Sequence, residues 1–505
     1  MADWTDGTFL LSAAPGAGKT RPALELARAQ LAAGAIRSVI VACPTAPLTR
    51  QWARAASALG VELAPDCDSP RPPKGFHGVA VTYARIAKAP RRWARALPAS
   101  SLVVADEAHH LGEELAWGEG FTTALSACSR WLLLSGTPFR SDAAAIPGVN
   151  YDPTGLAEPD HSYTYADAVR DRVCRPVSFV AYDGTLSWRS GDDVIESSFE
   201  TVLSGREAGR RYRTAISTEL PDGLPRILRE ADAKLAAVRA AGHSDAGGLV
   251  IAADSAHARR IAALLRECTG RAPLVVLHTE PRAAEKLVAF TRSRDPWIVA
   301  VNMVSEGVDI PRLRVGVYAT AAKTPLVFRQ IVGRFVRTLP GRPIEPSWLY
   351  VPADPILREH ASRIEEELRH VLARPEADEL GFDEPDLVAR SERSEEPAFT
   401  PLNADVAPQM SLFGPPPGAA VTIASGPPPP PADSEDERPA YERRAMLRSE
   451  RHRLVSEVTR RDRTDHREVN AWLNRKVGVS SVDGATLEQL ERSVELLVGR
   501  LTRRR

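Results

Sequence analysis

The residues with the clearest chemical potential form a short turn that follows an apolar run. The run covers residues 8–12, and the turn reads Ala13-Ala14-Pro15-Gly16-Ala17-Gly18-Lys19-Thr20. Small residues let backbone N–H groups surround a phosphate, and the N-terminus of a following helix adds a favourable dipole. In such a loop Lys19 would contact the outer phosphates of a nucleotide, and Thr20 would hold Mg²⁺. We therefore predict nucleotide binding here, although Ala13 stands where the strict pattern has glycine.

Two carboxylates follow another apolar run. Residues 102–105 lead into Asp106-Glu107-Ala108-His109. A parallel sheet presents its functional side chains at the carboxyl ends of its strands. At such an end Asp106 would hold Mg²⁺ through water, and Glu107 would polarise an attacking water. A solvated acidic loop is the alternative, which the presence of Lys19 upstream disfavours.

The elements that must position these residues are short apolar runs separated by stretches of helical periodicity. One set lies at residues 8–12, 38–42, 79–82, 102–105 and 131–135, and a second at 248–252, 273–277, 297–301, 315–318 and 348–351. Runs that are apolar on both faces indicate buried parallel strands joined by helices. We predict an α/β fold with two parallel-sheet domains in tandem, at 1–145 and 241–372, and a connector at 146–240.

The remaining residues differ in composition. Twelve of the 41 prolines lie between Pro397 and Pro439, and residues 361–440 hold 17 acidic but 6 basic side chains. Such a composition cannot bury a core, so we predict a disordered, proline-rich linker over residues 373–440. Periodicity returns in 441–505, which has 16 basic and 10 acidic residues. There we predict a helical module with helices at 441–461, 465–476 and 486–501, which either contacts phosphates or is a solvated bundle.

Three further motifs extend the pattern along the chain. They are Ser135-Gly136-Thr137-Pro138, then Val304-Ser305-Glu306-Gly307-Val308-Asp309-Ile310-Pro311, then Gln330-Ile331-Val332-Gly333-Arg334-Phe335-Val336-Arg337. With the two motifs above, the chain resembles superfamily 2 helicases and translocases of the DEAH-like, type III restriction and repair group. The resemblance covers roughly residues 8–370 and implies two RecA-like domains with ATP and Mg²⁺ in the cleft between them.

The resemblance also implies roles for individual residues. It assigns ATP binding to Ala14, Pro15, Gly16, Ala17, Gly18, Lys19, Thr20, Gly307 and Asp309, Mg²⁺ to Thr20 and Asp106, and catalysis to Asp106, Glu107, Gln330, Arg334 and Arg337. Ser135 and Thr137 would couple the two domains. Thr45, Arg50 and Thr82 would contact backbone phosphates of a nucleic acid. The adjacent Trp52 and Tyr83 could do the same or could be core aromatics.

A short peptide in the predicted linker stands apart from its surroundings. Gln409-Met410-Ser411-Leu412-Phe413 is an apolar island among prolines. It resembles the peptide by which bacterial proteins dock on the replicative sliding clamp, with Gln409, Leu412 and Phe413 as the contacting residues. A disordered setting would suit a peptide that folds into a groove on binding.

The family resemblance and the clamp-like peptide imply an ATP-dependent DNA helicase or double-strand DNA translocase in replication, repair, recombination or phage defence. An RNA helicase and an ATP-gated nucleic-acid clamp or scaffold without unwinding are the alternatives. No run approaches the roughly 18 apolar residues of a membrane span, and no secretory signal is visible, so we expect a cytoplasmic protein. Five cysteines lie far apart along the chain, which suggests neither a disulfide framework nor a zinc site.

Overall fold

The computed structural model describes residues 4–98, 100–113, 115–136, 145–152, 157–190, 192–203, 205–277, 283–301, 310–339, 342, 344–372, 399–409, 438–462 and 464–502. They divide into two compact units. The first takes the described residues of Met1–Ala13, Gly18–Ser162 and Pro429–Arg505. The second takes those of Ala14–Ala17 and Tyr163–Pro428.

The first unit is built on a sheet of seven strands. They are β1 (Gly7–Ala13), β2 (Ser38–Cys43), β3 (Leu63–Pro65), β4 (Gly78–Thr82), β5 (Ser101–Asp106), β6 (Arg130–Ser135) and β7 (His161–Tyr163). Their order is β3-β4-β2-β5-β6-β1-β7. The pairings of β1 with β6, β2 with β4 and β5, β3 with β4, and β5 with β6 are all parallel. Strands β2 and β5 are buried along their whole length, as predicted from their apolar sequences.

Helices connect the parallel strands of this sheet. They are α1 (Thr20–Ala32), α2 (Ala46–Ser57), α3 (Tyr83–Lys88), α4 (Pro90–Ala96), α5 (His110–Glu113) and α6 (Leu115–Leu125). Parallel strands require such crossovers, because the chain must return to the starting edge of the sheet before it can form another strand in the same direction. Each of the five apolar runs predicted for this part of the chain lies within a strand.

The second unit contains a larger sheet. Its strands are β8 (Val177–Ser190), β9 (Asp193–Ser197), β10 (Gly247–Ala252), β11 (Leu274–Val276), β12 (Trp297–Val301), β13 (Leu313–Ala319), β14 (Ser347–Pro352) and β15 (Phe399–Gln409). Seven follow the order β11-β12-β10-β13-β14-β8-β15, and β9 pairs with β8. The helices are α7 (Tyr165–Arg170), α8 (Gly205–Ala215), α9 (Leu224–Ala240), α10 (Ser255–Thr269), α11 (Ala283–Arg292), α12 (Pro325–Phe335) and α13 (Pro355–Leu372). Each unit is an α/β domain with a mainly parallel sheet, as predicted, and the two resemble tandem RecA-like domains.

Two features of this sheet differ from the prediction. Strand β8 falls in the predicted connector but pairs in parallel with β14, so part of the connector belongs to the second sheet. The prediction of disorder is wrong for residues 399–409, which pair antiparallel with β8 as strand β15. Ala404 and Val406, two positions apart, are both fully buried, and β15 tolerates Pro401 and Pro408 because it ends the strand order. Residues 373–398 and 410–437 of the predicted linker lie outside the described residues.

The C-terminal helical module agrees with the prediction. Its helices are α14 (Ala440–Asp462), α15 (His466–Val477) and α16 (Leu487–Thr502). They share a small apolar core that includes Leu454, Val458, Leu473 and Leu497. Since this core is formed within the module, the three helices stabilise one another.

Candidate nucleotide and nucleic-acid site

The predicted phosphate-binding loop lies between β1 and α1, with Thr20 as the first residue of the helix. Gly16 and Gly18 have φ angles of 87° and 83°, which glycine adopts readily and other residues rarely do. Ala13 is the last residue of β1 and is buried, so the position where the strict pattern has glycine is a strand residue here. The local backbone therefore fits a phosphate-binding turn.

Lys19 and Glu107 meet at the carboxyl edge of the first sheet. The Lys19 ammonium donates a hydrogen bond to Glu107 Oε1 over 2.8 Å, and the two side chains are 9% and 24% exposed. Glu107 follows directly after β5 and has a φ of 51°, a left-handed conformation that is uncommon for a residue other than glycine. Such backbone strain is often found at functional sites. The motifs that bear these two residues are thus brought together in space.

Asp106 is the last residue of β5 and is 6% exposed. Trp52 Nε1 donates a hydrogen bond to its Oδ2 atom over 2.7 Å. Burial and the neighbouring Glu107 carboxylate raise the pKa of Asp106 to about 6, while Lys19 and Trp52 act in the opposite direction. Burial also acts to raise the pKa of Glu107, but the charges of Lys19 and His109 outweigh it and hold this pKa at about 2. Two adjacent carboxylates therefore have different proton affinities.

His109 connects the second motif with the end of β6. Its Nδ1 atom lies 3.1 Å from Ser135 Oγ and 3.5 Å from Glu107 Oε2, and both His109 and Ser135 are buried. Ser135 therefore lies beside the carboxylate motif, in a place from which a change at Glu107 can reach β6. Thr137, the other predicted coupling residue, lies outside the described residues.

The chemistry of the donor set fits Mg²⁺. In the part of the chain that the structure describes, no group of three or more His, Cys, Asp or Glu side chains could hold a metal ion by itself. Mg²⁺ is typically held by one or two carboxylates together with substrate phosphates and water. Asp106 offers one carboxylate and Thr20 one hydroxyl, which would leave the remaining positions of the ion to phosphate and water. The same residues would not form a closed cage for zinc.

The arginine motif of the second unit lies at the end of α12. Gln330 and Arg334 lie in α12 and are half-buried, but α12 ends at Phe335, so Arg337 lies two residues beyond it. Arg334 and Arg337 therefore do not share one helix, although they lie three positions apart. The chain leaves the helix because the Arg175 N–H donates to the Val336 carbonyl over 2.7 Å, and Arg175 Nε donates to the Arg337 carbonyl over 2.6 Å. Gly307 and Asp309 lie outside the described residues.

The predicted nucleic-acid residues lie at the carboxyl edge of the first sheet. Thr45 immediately precedes α2, and Thr82 ends the neighbouring β4, where its hydroxyl accepts a hydrogen bond from the Arg85 N–H. The Arg50 side chain is 61% exposed, with Nε 3.4 Å from Asp66 Oδ2. Two threonines and one exposed arginine therefore lie near two adjacent strand ends, where they could donate hydrogen bonds to backbone phosphates.

Trp52 and Tyr83 are core residues rather than surface aromatics. Both are almost fully buried, and the Tyr83 hydroxyl donates to the backbone carbonyl of Asp106 over 2.8 Å. The first alternative, contact with nucleic acid, is therefore wrong for these two side chains. Their bonds to Asp106 were missed because each joins positions far apart in the sequence, and no spacing rule connects them.

Two further sequence features fall at the edges of the described regions. Gln409 is the last residue of β15, opposite Ala181, while Leu412 and Phe413 lie outside the described residues. Within the first unit, the C-terminal module contacts α2, where the Arg54 guanidinium lies 2.8 Å from Glu442 on α14. Searching the described helices finds none with both the length and the apolar character needed to cross a bilayer. The five cysteines are free thiols.

A family model and a mycobacterial protein are both similar in sequence to this chain. A family model described as "Type III restriction enzyme, res subunit" matches residues 4–140. The Mycobacterium tuberculosis protein Rv2917 is 41% identical over 418 residues, which cover 80% of this chain and 69% of the relative. This chain and the mycobacterial protein belong to one family. This chain is a member of superfamily 2 of the helicases and translocases, in its type III restriction-like group.

Two solved structures are also similar. A fragment of a type I restriction enzyme from Vibrio vulnificus YJ016 has a TM-score of 0.48 at 16% identity, and the match covers 70% of this chain and 61% of that fragment. Dbp5 of S. cerevisiae, bound to RNA and ADP BeF3, has a TM-score of 0.44 at 12% identity, with 72% of this chain and 83% of Dbp5 covered.

Proposed function

We propose that the protein hydrolyses ATP when it is bound to nucleic acid and uses the energy to move along or unwind DNA. The observation that carries this proposal is the meeting of Lys19 with Glu107, 2.8 Å apart and next to the buried Asp106. A phosphate-binding cation, a candidate base and a metal-binding carboxylate at one sheet edge match the requirements of phosphoanhydride hydrolysis.

Each of these residues has a role in the proposed reaction. When bound with Mg²⁺, ATP supplies the phosphoanhydride bond, and the ion offsets the negative charge of the phosphates. Asp106 and Thr20 would hold the ion, and the backbone N–H groups of residues 14–19 would surround the phosphates. Lys19 would transfer from Glu107 to phosphate, which frees Glu107 Oε1 to orient a water molecule and accept its proton. His109 Nδ1 lies 3.5 Å from Oε2, the second carboxylate oxygen of Glu107, and would hold that oxygen in place.

Further residues would complete the reaction. The motif order assigns Arg334 and Arg337 to stabilisation of charge on the transferred phosphoryl group, with Gln330, Gly307 and Asp309 as additional contacts. Planar guanidinium groups suit this task, because they can form two parallel hydrogen bonds to phosphate oxygens. Ser135 and Thr137 would relay the change at the nucleotide to the rest of the chain.

DNA is the proposed nucleic acid. The family model that matches residues 4–140 takes its name from a restriction enzyme, a class of protein that acts on DNA. Thr45, Arg50 and Thr82 would contact backbone phosphates, which both DNA and RNA possess, so these residues do not select between the two. An RNA helicase is the second candidate, and a clamp that closes on nucleic acid without moving is the third.

Strand displacement and triplex displacement separate these candidates. A helicase separates a forked duplex when ATP is added, whereas a double-strand translocase removes a third strand from a triplex without separating the duplex. A clamp or scaffold does neither, although it remains bound. The Glu107→Gln variant is the control, since it keeps the nucleic-acid surface and lacks the candidate base. Displacement of RNA duplexes alone would replace the DNA proposal with the RNA helicase.

The segment Gln409–Phe413 would place the motor at replication sites through the sliding clamp. A short peptide that folds on binding has micromolar affinity, on the order of −8 kcal/mol, and attachment of the same chain to DNA would raise its effective concentration. Calorimetry of the full chain with a bacterial sliding clamp is the test. Leu412→Ala with Phe413→Ala should abolish the binding and leave ATP hydrolysis unchanged. Equal heats for the two proteins, or no heat with the unchanged chain, would refute clamp docking.

A further inference from the structure

The hydrogen bond from Trp52 to Asp106 joins the helix that carries Arg50 to the candidate Mg²⁺ ligand. Trp52 is 1% exposed, whereas the Arg50 side chain on the same helix is 61% exposed. Residues two positions apart on a helix point in different directions, so α2 presents Arg50 to solvent and Trp52 to the sheet. Helix α2 thus contacts Asp106 through Trp52. Through Arg50 the same helix would contact the phosphate backbone of a nucleic acid.

We propose that Trp52 is a positioning residue, which fixes the Asp106 carboxylate for Mg²⁺ and makes its orientation depend on α2. The inference rests on the proposed function and adds the route by which nucleic acid at Arg50 promotes hydrolysis. Trp52 does not touch the nucleotide in this account, and it acts through Asp106 alone.

The chemistry of an aspartate explains why a positioning residue is needed. The terminal torsion of an aspartate is broad, so an unheld carboxylate samples many orientations. Mg²⁺ requires nearly ideal octahedral geometry, and a misoriented carboxylate therefore costs affinity. The 2.7 Å hydrogen bond from Trp52 Nε1 to Oδ2 restricts the rotation of this carboxylate. Hydrogen bonds that orient a ligand in this way typically account for 10–100-fold in metal affinity.

The charged groups around Asp106 do not supply this orientation. Lys19 and Glu107 are its principal charged neighbours, and Lys19 is engaged with Glu107. Cys43, at the end of the neighbouring β2, has its pKa raised well above the usual value by burial and by the charge of Asp106, so it carries no charge. Trp52 therefore provides a directed contact that the electrostatic neighbours lack.

Tyr83 provides a matched control within the same structure. Like Trp52 it is a fully buried aromatic residue that donates one hydrogen bond to Asp106, in this case over 2.8 Å to the backbone carbonyl. A bond to the carbonyl stabilises the end of β5 but does not orient the carboxylate. Trp52→Phe and Tyr83→Phe thus each remove one buried hydrogen bond to the same residue, and only the first should affect the ion.

The test measures binding of a fluorescent ADP analogue to the full chain, first in EDTA and then as Mg²⁺ is titrated. Trp52→Phe should keep the metal-free affinity within about twofold and should weaken the Mg²⁺ dependence by roughly tenfold or more. Tyr83→Phe should keep the Mg²⁺ dependence of the unchanged chain. In a second assay, Trp52→Phe should bind nucleic acid normally and lose most of the stimulation of ATP hydrolysis by nucleic acid.

The outcomes separate this inference from the proposed function. If the unchanged chain binds no nucleotide, or if Mg²⁺ has no effect on that binding, the proposed function itself fails. If the unchanged chain responds to Mg²⁺ and folded Trp52→Phe responds equally, or if Tyr83→Phe shows the same loss, only the positioning role is refuted.

A measurement on the unchanged chain covers the case in which Trp52→Phe does not fold. The indole N–H signal of Trp52 in nuclear magnetic resonance should shift when Mg²⁺ is added to the ADP-bound protein, and the shift should be much smaller with ADP alone. The assignment can come from Trp52→Tyr or from specific isotope labelling. An indole signal that ignores Mg²⁺ would overturn the proposal.

Discussion

Lys19 Nζ and Glu107 Oε1 form an ion pair 2.8 Å long, so the candidate phosphate-binding cation and the candidate base neutralise each other. Neither group can perform its proposed task while it is engaged in this pair. A phosphate that enters the loop would compete for Lys19 and release Glu107 at the same time. In the proposed mechanism, the pair would link nucleotide binding to activation of the base.

Substitution of the two members of this pair should give two different defects. Lys19→Ala should weaken nucleotide binding by roughly tenfold or more, because a charge-assisted contact to phosphate is lost. Glu107→Gln should bind nucleotide at least as well as the unchanged chain and should lose turnover by about 10²–10⁴-fold. Equilibrium binding and single-turnover hydrolysis distinguish the two effects. A Glu107→Gln variant that turns over at the normal rate would show that Glu107 is not the base.

Asp106→Asn should stabilise the protein in a pH-dependent manner. Because the pKa of Asp106 is raised to about 6, the folded state favours the protonated form, and stability is lost as pH rises from about 4 through 6. The neutral amide avoids this loss, so the stabilisation should be larger at pH 8 than at pH 5. Thermal unfolding in EDTA at the two pH values measures the difference. A variant that is less stable than the unchanged chain at pH 8 would contradict this account of the site.

Arg334→Ala and Arg337→Ala should each lower turnover by a large factor, on the order of 10³ if they act as arginine fingers. Lysine should substitute poorly, since it lacks the planar fork. Arg329→Ala is the matched control, because Arg329 lies on the same helix but pairs with Glu367 over 2.9 Å. Steady-state hydrolysis with saturating nucleic acid is the measurement. Comparable losses in all three alanine variants would indicate damage to α12 rather than loss of a specific contact.

Arg50→Ala should reduce nucleic-acid affinity and lower the slope of log affinity against log salt by about 1, as expected for one lost phosphate contact. The effect should be similar for different sequences, because phosphate contacts carry no direct sequence information. Arg28→Ala is a suitable control, since Arg28 is an exposed arginine on α1 that pairs with Glu25. Fluorescence anisotropy over a range of salt concentrations tests this. An unchanged slope would remove Arg50 from the proposed interface.

The sequence predicted the two sheets and the first two motifs because these depend on local patterns. Mainly apolar runs identified β1, β2 and β5, and residue order alone placed Lys19 just before α1 and Asp106 at the end of β5. Strand β15 was missed because its prolines and polar neighbours resemble a linker, whereas its stability comes from pairing with β8, which no local pattern reports. The hydrogen bond between Trp52 and Asp106 was missed because it also joins residues that are far apart in the sequence.

The end of α12 illustrates the same limitation at smaller scale. Helical periodicity continues through Arg337, but backbone and side-chain bonds from Arg175 draw the chain out of the helix after Phe335. Arg175 lies far away in the sequence, just before β8, and its effect appears only when this segment meets the residues that follow α12. Tertiary contacts of this kind decide where an element ends, and local propensity does not.

The rate of ATP hydrolysis with and without nucleic acid tests the central claim most directly. The full chain should be assayed alone and with single-stranded DNA, duplex DNA, forked DNA and RNA, with Glu107→Gln as the control for contaminating activity. We predict a low basal rate that DNA raises at least several-fold, and no stimulated rate in the Glu107→Gln variant. A rate that no nucleic acid changes, or one that is equal in the unchanged chain and in Glu107→Gln, would contradict the claim that this protein is a nucleic-acid-dependent motor.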